Sequence, residues 1–313
     1  MMVRLGLCCM FRDQPIKFST TTVTAVAKMK RKDGLAKLSK LCRDNADALY
    51  ASIEYCAAHQ IGCFRVNSQI LPLKTHPECG YRMEELPDGE AIVERFKQCG
   101  ELARKQKVRT CFHPDQFVVL NSPRADVVDK SIEELEYQSE VAEWVNADVV
   151  NIHGGGAYGD KRKALNDFAR NLDRLSPRVR TRLTVENDDK IFTPADLLPL
   201  CKATDIPLVY DVHHHRCNQD ELSIEQATKK IADQVQIPGF RKGKIPAQVI
   251  DQRVGRGVVL EEAANDALSR SLAEIIVDNK FVQMSRPVVD VTKLDEAEGL
   301  AFTAEMDIRP EFD

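Results

Sequence analysis

The chain has 313 residues, of which 43% are hydrophobic and 29% charged, and its net charge at neutral pH is −4. These values are typical of globular proteins and allow one large domain or two ordinary ones, so they exclude a wholly disordered chain. The slight negative charge also argues against nucleic-acid or membrane binding through bulk positive charge, without excluding a local basic groove.

The N-terminal region and the cysteines predict a soluble, cytoplasmic protein. The longest apolar run near the N-terminus covers only residues 5–11, between Arg4 and Arg12, which is too short for a membrane helix. The ten cysteines form no C-x-x-C pair, which argues against a zinc ribbon or a thioredoxin motif. We expect most of them to be reduced and buried as small hydrophobic side chains.

In chain order, short β-rich runs alternate with longer helical patterns. The strands are predicted at Val3–Cys8, Cys63–Asn67, Val108–Phe112, Val149–Ile152, Leu183–Val185 and Leu208–Tyr210. The helices are predicted at Leu35–His59, Glu90–Gln106, Ala125–Val145, Lys161–Leu175 and Pro194–Ala203. Six such units predict an α/β fold with a parallel sheet, either doubly wound or a TIM-type (β/α) barrel.

The last part of the chain has a different residue usage. No histidine follows His215 and no cysteine follows Cys217, so we expect two segments of different origin joined within 223–233. For the second segment the sequence predicts helices, a basic loop and two antiparallel strands. The strands are Val288–Leu294 and Leu300–Ile308, which alternate apolar and polar residues. We therefore expect a barrel-like domain over residues 1–228 and a small α+β module over residues 229–313.

Residues of metal-ligand type follow four successive predicted strands. His113, His153, Glu186 and Asp211 each come directly after a strand, and His76 lies in the loop after the second strand. The carboxyl ends of the strands in a (β/α) barrel meet on one face, where active sites lie. Imidazoles and carboxylates that converge there predict a mixed nitrogen and oxygen site suited to Zn²⁺ or Mn²⁺.

Three neighbouring motifs allow more than one interpretation. On a strand or its extension, at most two of His213, His214 and His215 can face the same site as Asp211. The loop over residues 154–161 is glycine-rich and is either a phosphate cradle before a helix or a tight turn. The run at residues 186–189 offers carboxylates for a second metal ion.

Seven motifs in order resemble the UV damage endonuclease family over residues 1–228. They are Arg4-Leu5-Gly6-Leu7, Thr75-His76-Pro77, Phe112-His113-Pro114-Asp115-Gln116-Phe117, Asn151-Ile152-His153-Gly154-Gly155, Ala157-Tyr158-Gly159-Asp160-Lys161, Glu186-Asn187-Asp188-Asp189 and Asp211-Val212-His213-His214-His215. The resemblance implies a TIM-barrel, multi-metal endonuclease related in fold to endonuclease IV. It also implies nicking of damaged double-stranded DNA immediately 5′ of pyrimidine dimers and other lesions.

The same resemblance assigns roles to individual residues. It implies two or three ions, usually Mn²⁺ and alternatively Zn²⁺ or Mg²⁺, with Glu186, Asp211 and His113 as the catalytic group. The implied metal ligands are His76, His113, His153, Glu186, Asp211 and His214. Gln116 and Phe117 fill the positions that probe the lesion, where family members often have Tyr in place of Phe117, and Tyr158 and Lys161 approach the DNA backbone.

The residues from about 230 onward resemble part of the ribosome-binding domain of trigger factor, a ribosome-bound chaperone. The motifs are 239–246, 250–253 and 302–312. The resemblance implies that Phe240, Arg241 and Lys242 dock on the large ribosomal subunit. The two resemblances together predict a chimera of a cut endonuclease barrel and a partial ribosome-binding module.

The endonuclease family continues with two further strands that carry a modified lysine, a histidine and a late glutamate. This chain has no counterpart for that histidine, so we expect an incomplete barrel and weak or absent nuclease activity. Two alternatives are a ribosome-associated chaperone fragment and a xylose-isomerase-like, metal-dependent sugar enzyme. Metal content would distinguish these hypotheses, because both enzymes are expected to bind metal and the chaperone fragment is not. The Gln116-Phe117 pair argues against the sugar enzyme.

Overall fold

The computed structural model of the protein describes residues 4–8, 10–232, 271, 275, 278, 279, 288–295 and 299–307. The chain divides into two compact units, one over Arg4–Gly243 and the other over Lys244–Asp313 together with Met1–Val3. Within the described residues, no helix is long and apolar enough to cross a membrane.

The first unit contains a six-stranded parallel sheet in which neighbours in sequence are neighbours in space. Its strands are β1 (Gly6–Cys8), β2 (Cys63–Val66), β3 (Arg109–Phe112), β4 (Val149–His153), β5 (Leu183–Glu186) and β6 (Leu208–Val209). Among the described residues β1 and β6 do not pair with each other, so the sheet is not closed. The predicted TIM-barrel-like fold with six βα units is confirmed, and a closed barrel would need further strands.

Helices connect the strands and cover one face of the sheet. They are α1 (Val23–Ala27), α2 (Arg31–Ala58), α3 (Gly89–Gln106), α4 (Ala125–Trp144), α5 (Lys161–Leu172), α6 (Pro177–Arg180), α7 (Pro194–Thr204), α8 (Val212–Cys217) and α9 (Ile224–Ala232). As predicted, α7 begins with Pro194 behind Thr193, whose side chain accepts a hydrogen bond from the backbone amide of Asp196. This cap satisfies an amide that the first helical turn leaves free.

The two faces of the sheet differ in polarity. Side chains of one face, including Phe64, Phe112 and Val185, are fully buried against the helices. The opposite face of β1 to β3, here called the open face, is half-buried or exposed. It consists of Cys8, Cys63, Arg65, Arg109 and Cys111. The corresponding face of a closed TIM barrel lines the barrel interior, which further strands would cover.

The described part of the second unit contains two antiparallel strands, β7 (Val288–Asp295) and β8 (Gly299–Glu305). A register irregularity lies between Val291 and Lys293. Alternation of apolar and polar residues predicted this pair, and the structure confirms it to within a few residues at each end. The sequence-predicted ribosome contacts Phe240, Arg241 and Lys242 lie outside the described residues.

Candidate metal centre

Five of the six predicted ligands come together at the carboxyl ends of the parallel strands. They form two groups whose ligand atoms lie within 4.8 Å of one another: His113, His153 and Glu186, and Glu186, Asp211 and His214. Glu186 belongs to both groups, so its carboxylate stands between them.

Strand register explains why these residues meet. His153 at the end of β4 is the direct partner of Glu186 at the end of β5, and His113 directly follows β3. The imidazole rings of His113 and His153 lie 4.9 Å apart between centroids, and those of His153 and His214 lie 5.5 Å apart. The last residues of β4 and β5 and the residue directly after β3 therefore meet at the carboxyl edge of the sheet.

Glu186 contacts an imidazole on each side. Its Oε2 lies 3.5 Å from Nε2 of His113, and its Oε1 lies 3.2 Å from Nδ1 of His214. The carboxylate is buried, and buried carboxylates need partners because desolvation of a charge is costly. Two imidazoles around one carboxylate are donors that could hold a divalent metal ion.

The histidine run after Asp211 is helical, which corrects the expectation of a strand extension. Asp211 is the N-cap of α8 and its Oδ1 accepts a hydrogen bond from the backbone amide of His214 at 2.8 Å. The helix turns His214 toward Glu186, whereas buried His215 contacts Tyr210 and Asp220 at 2.7 and 3.0 Å. His213 is exposed, so only one of the three histidines belongs to the ligand groups.

Two pKa shifts in the cluster favour a neutral imidazole at His153 and a charged carboxylate at Glu186. Burial, and then the neighbouring charge of His113, lowers the pKa of His153. Burial raises the pKa of Glu186, but the hydrogen bond from His113 and the charges of His113 and His153 outweigh it, so the net shift is downward. Metal ions bind deprotonated ligands, so both shifts favour a bound cation.

One buried ligand atom without a hydrogen-bond partner shows whether the cluster suits a cation. Nδ1 of His153 is buried and has no hydrogen-bond partner, although buried polar atoms are nearly always paired. A divalent ion held by His113, His153 and Glu186 would give the His153 imidazole a partner. The residues present therefore fit a metal ion at this position.

Three polar residues that hold the ligands had no role assigned from the sequence. The buried side chain of Asn151 donates a hydrogen bond to Oε2 of Glu186, and Oγ1 of Thr184 donates to Oδ1 of Asn151 at 2.8 Å. The side-chain amide of Asn187 donates a hydrogen bond to the backbone oxygen of Asp211 at 2.8 Å, and its Oδ1 accepts one from the backbone amide of Asp211 at 2.9 Å. Asn151 and His153 are two residues apart on β4, so both side chains lie on one face of the sheet. This spacing is the sequence signal that could have indicated that Asn151 supports the ligands.

His76 is the predicted ligand that the structure does not include in either group. Its Nδ1 faces the backbone amides of Glu78 and Cys79 at 3.1 and 3.3 Å. The hydroxyl of the preceding residue, Thr75, donates to Oε2 of Glu134 on α4 at 2.9 Å. His76 lines a groove of about 1420 Å³ together with Phe117, so it lies on the same surface as the predicted lesion probe.

The side chains predicted to contact DNA differ in their exposure and in whether they already form an ion pair. Gln116 and Phe117 form an exposed turn after β3, and 75% of the surface of Phe117 is accessible. Tyr158 is also exposed, at 53%. Lys161 instead forms an ion pair with Asp196, with Nζ and Oδ2 2.7 Å apart, so its ammonium group already has a counter-charge.

The glycine-rich segment after β4 is held as a tight turn. The amide of Asn121 donates to the carbonyl oxygens of Gly154 and Gly156, each at 2.8 Å. Gly155 has a φ of +86°, and a Cβ at this residue would lie 2.2 Å from Oδ1 of Asn121. The close approach of Asn121 therefore requires glycine at residue 155.

In the run at residues 186–189, Glu186 belongs to both ligand groups, whereas Asp188 belongs to neither. Its carboxylate accepts hydrogen bonds from the backbone amides of Lys190, Ile191 and Phe192, at 2.9, 2.5 and 2.9 Å. It thereby closes the turn that leads into α7. Asp189 is exposed beside Lys190.

The sheet and the cluster together define an α/β protein of the TIM-barrel type with a candidate metal centre at the carboxyl ends of its strands. The model of the family described as UV-endonuclease UvdE matches residues 3–249. The chain belongs to this family. A second model, described as bacterial trigger factor protein, matches residues 218–313.

Individual relatives agree with the family assignment. The chain is 33% identical over 210 residues to a UV DNA damage endonuclease of Bacillus cereus strain Q1, and this match covers 66% of the chain and 65% of that protein. The enzyme of Bacillus anthracis strain A0248 is 32% identical over the same length. The crystal structure of SacUVDE superposes with a TM-score of 0.67 at 25% identity, covering 80% of this chain and 88% of that one. The chain thus spans about 65% of the length of the curated relatives it matches.

Replacing His214 with alanine is expected to weaken binding of Mn²⁺ by about tenfold or more, because it removes an imidazole from the second ligand group. The exposed neighbour His213 is the matched control, and His213→Ala should change the affinity by less than about twofold. Titration calorimetry on both variants measures the difference. Equal losses in the two variants would contradict the assignment of His214.

Proposed function

We propose that the chain is a metal-dependent endonuclease that hydrolyses the phosphodiester 5′ of UV lesions such as pyrimidine dimers. The observation that carries the proposal is Glu186, whose carboxylate joins two ligand groups at the carboxyl ends of the strands. Family membership favours this substrate over the sugar of a xylose-isomerase-like enzyme.

In this proposal His113, His153, Glu186, Asp211 and His214 hold the ions, with Mn²⁺ preferred over Zn²⁺ or Mg²⁺. Divalent ions held by such ligands stabilise the negative charge that develops on a phosphodiester during hydrolysis. The protein fixes the ligands through the supports of Glu186 and Asp211 described above, and such supports orient ligands and raise metal affinity. His76 is proposed as a further ligand, and it lines the groove beside Phe117.

The exposed turn of Gln116 and Phe117 is proposed to enter the duplex at the lesion. A flipped or distorted base pair leaves a gap that an aromatic ring fills by stacking. Tyr158, which is exposed beside the glycine turn, is proposed to contact the DNA backbone. Lys161 would exchange Asp196 for a phosphate, which costs little because exposed ion pairs contribute about 1 kcal/mol or less.

Phe117→Ala is expected to lower incision of a pyrimidine-dimer duplex by about tenfold, because stacking on one base contributes roughly 1–3 kcal/mol. Mn²⁺ binding should stay unchanged, since Phe117 belongs to neither ligand group. Phe117→Trp is the control and should keep most of the activity. Incision of an end-labelled duplex measures the effect, and a loss of bound Mn²⁺ in Phe117→Ala would contradict the stacking role.

We further propose that incision is weak compared with that of the Bacillus cereus relative. In the described part of the chain the parallel sheet has six strands, and no histidine follows His215 in the sequence, so the family's late histidine has no counterpart. Loss of a supporting group at a metal site commonly costs about 10–100-fold. We expect a rate at least tenfold below that of the Bacillus cereus relative under matched conditions.

A second candidate function is ribosome association through Phe240, Arg241 and Lys242. The trigger factor model matches the residues that contain this loop, and a basic loop with an aromatic residue suits ribosomal RNA and protein. Co-sedimentation with large ribosomal subunits tests the proposal. Replacing all three residues with alanine should abolish co-sedimentation while leaving Mn²⁺ binding unchanged.

A further inference from the structure

His215 is a buried histidine that belongs to neither ligand group, although it directly follows the ligand His214. Its Nδ1 lies 2.7 Å from the hydroxyl oxygen of Tyr210, and its Nε2 lies 3.0 Å from Oδ1 of Asp220. A buried imidazole with a polar partner at each nitrogen is held in one orientation. His215 is therefore a fixed side chain directly beside the metal centre.

Asp220 joins this histidine to α7. Its Oδ2 accepts a hydrogen bond from the backbone amide of Ala195, in the first turn of α7, at 2.8 Å, and its Oδ1 accepts one from the amide of Leu222 at 2.7 Å. Burial raises the pKa of Asp220, but these hydrogen bonds and the one from His215 outweigh it, so the net shift is downward. A charged carboxylate only accepts hydrogen bonds, so Nε2 of His215 donates to it. A neutral imidazole then accepts at Nδ1, and the hydroxyl of Tyr210 donates.

The anchored imidazole fixes how α8 is turned about its axis. Neighbouring residues on a helix point about 100° apart, so the direction of His215 determines that of His214. A helix with its side chains has a radius of about 5–6 Å, and a rotation of roughly 20° would move the His214 ring by about 2 Å. Metal–ligand distances vary by only about 0.2 Å. Asp211 has a separate support, because Asn187 holds its backbone.

We propose that His215 is a positioning residue of the metal centre, held by Tyr210 and Asp220 so that His214 faces Glu186. The inference rests on the proposed function, because it takes His214 as a ligand of a bound divalent ion. His215 acts through its neighbour and belongs to neither ligand group. Through Asp220, the orientation of a ligand on α8 depends on the first turn of α7.

Titration calorimetry with Mn²⁺ on the full-length chain tests the proposal. His215→Phe keeps a buried ring and removes both hydrogen bonds, so Mn²⁺ affinity should fall by about tenfold, the loss expected for His214→Ala itself. In a chain that already carries His214→Ala, His215→Phe should lower the affinity by less than about twofold, because its effect passes through His214. A residue that only stabilises the fold would weaken binding equally in both backgrounds, so additive losses would overturn the proposal.

Tyr210→Phe is a milder variant that leaves the buried imidazole and its bond to Asp220 in place. It should weaken Mn²⁺ binding by about threefold or more, because one of the two hydrogen bonds that hold His215 is lost. Tyr137→Phe is the matched control. It also removes a tyrosine hydroxyl, which accepts from the amide of Leu71 at 3.0 Å and donates to the carbonyl oxygen of Ser68 at 3.1 Å.

Because Tyr137 belongs to neither ligand group, Tyr137→Phe should change Mn²⁺ affinity by less than about twofold. Equal affinities in Tyr210→Phe, His215→Phe and the wild type would overturn the proposal. The readout needs no DNA, so it separates this role from the proposed function. A chain that shows these differences in affinity without nicking a dimer duplex would contradict the endonuclease and still support the positioning role.

Discussion

Replacing Glu186 with glutamine is expected to cause the largest loss of metal binding of any single substitution. Glu186 is the ligand that both groups share, so the variant removes one negative charge from two positions at once. Glutamine keeps the size of the side chain and an oxygen that can accept the hydrogen bond from Asn151. We expect Mn²⁺ affinity to fall by about 100-fold or more, with the thermal unfolding midpoint nearly unchanged.

Equilibrium dialysis with elemental analysis measures this effect directly. Glu143→Gln is the control, because Glu143 is a half-exposed carboxylate that pairs with Arg178 on the helical surface at 2.8 Å. It should bind as much Mn²⁺ as the wild type. If Glu186→Gln kept the wild-type affinity and stoichiometry, the cluster would not be a metal centre and the proposed function would lose its main support.

Asp188→Ala is expected to destabilise the first unit by at least about 3 kcal/mol, since a single hydrogen bond to a charged group contributes up to roughly 3 kcal/mol and three such bonds are lost. These bonds come from backbone amides of the turn before α7, which the variant leaves without an acceptor. For a unit of this size the unfolding midpoint should fall by roughly 6–12 °C. Metal affinity should change much less than in Glu186→Gln.

Asp189→Ala provides the control for this prediction. Asp189 is adjacent and carries the same charge, but it is exposed and lies 3.9 Å from Lys190. Surface substitutions of this kind change stability by about 0.5 kcal/mol or less. Thermal melts of the two variants, followed by circular dichroism, measure the difference. Equal midpoints would show that the turn does not depend on the Asp188 carboxylate.

The strands and the convergence of the ligands could be predicted from the sequence because each depends on local pattern and simple geometry. Buried parallel strands are short apolar runs, and a ligand residue directly after each run has to lie at the carboxyl edge of the sheet. His113, His153 and Glu186 follow this rule. The antiparallel pair β7 and β8 was equally predictable, because alternation indicates a sheet that is buried on one face.

The rest of the site depends on contacts that the sequence does not display. Asp211 begins a helix by capping it, and this choice of helix over strand determines which of the three histidines faces Glu186. Asp188 and Asp189 are adjacent carboxylates, and only the path of the following turn distinguishes their roles. The position of His76 depends on a loop held by α4 through Glu134, a contact between residues 59 positions apart in the chain.

Incision of a defined duplex with one pyrimidine dimer tests the central claim most directly. The purified chain, supplied with Mn²⁺, is predicted to produce a single nick immediately 5′ of the dimer, at a rate at least tenfold below that of the Bacillus cereus relative. The nick should disappear with chelator and in Glu186→Gln. No product above the level of Glu186→Gln at any Mn²⁺ concentration would contradict the proposed function. A rate equal to that of the relative would contradict the inference that the open six-stranded sheet impairs the enzyme.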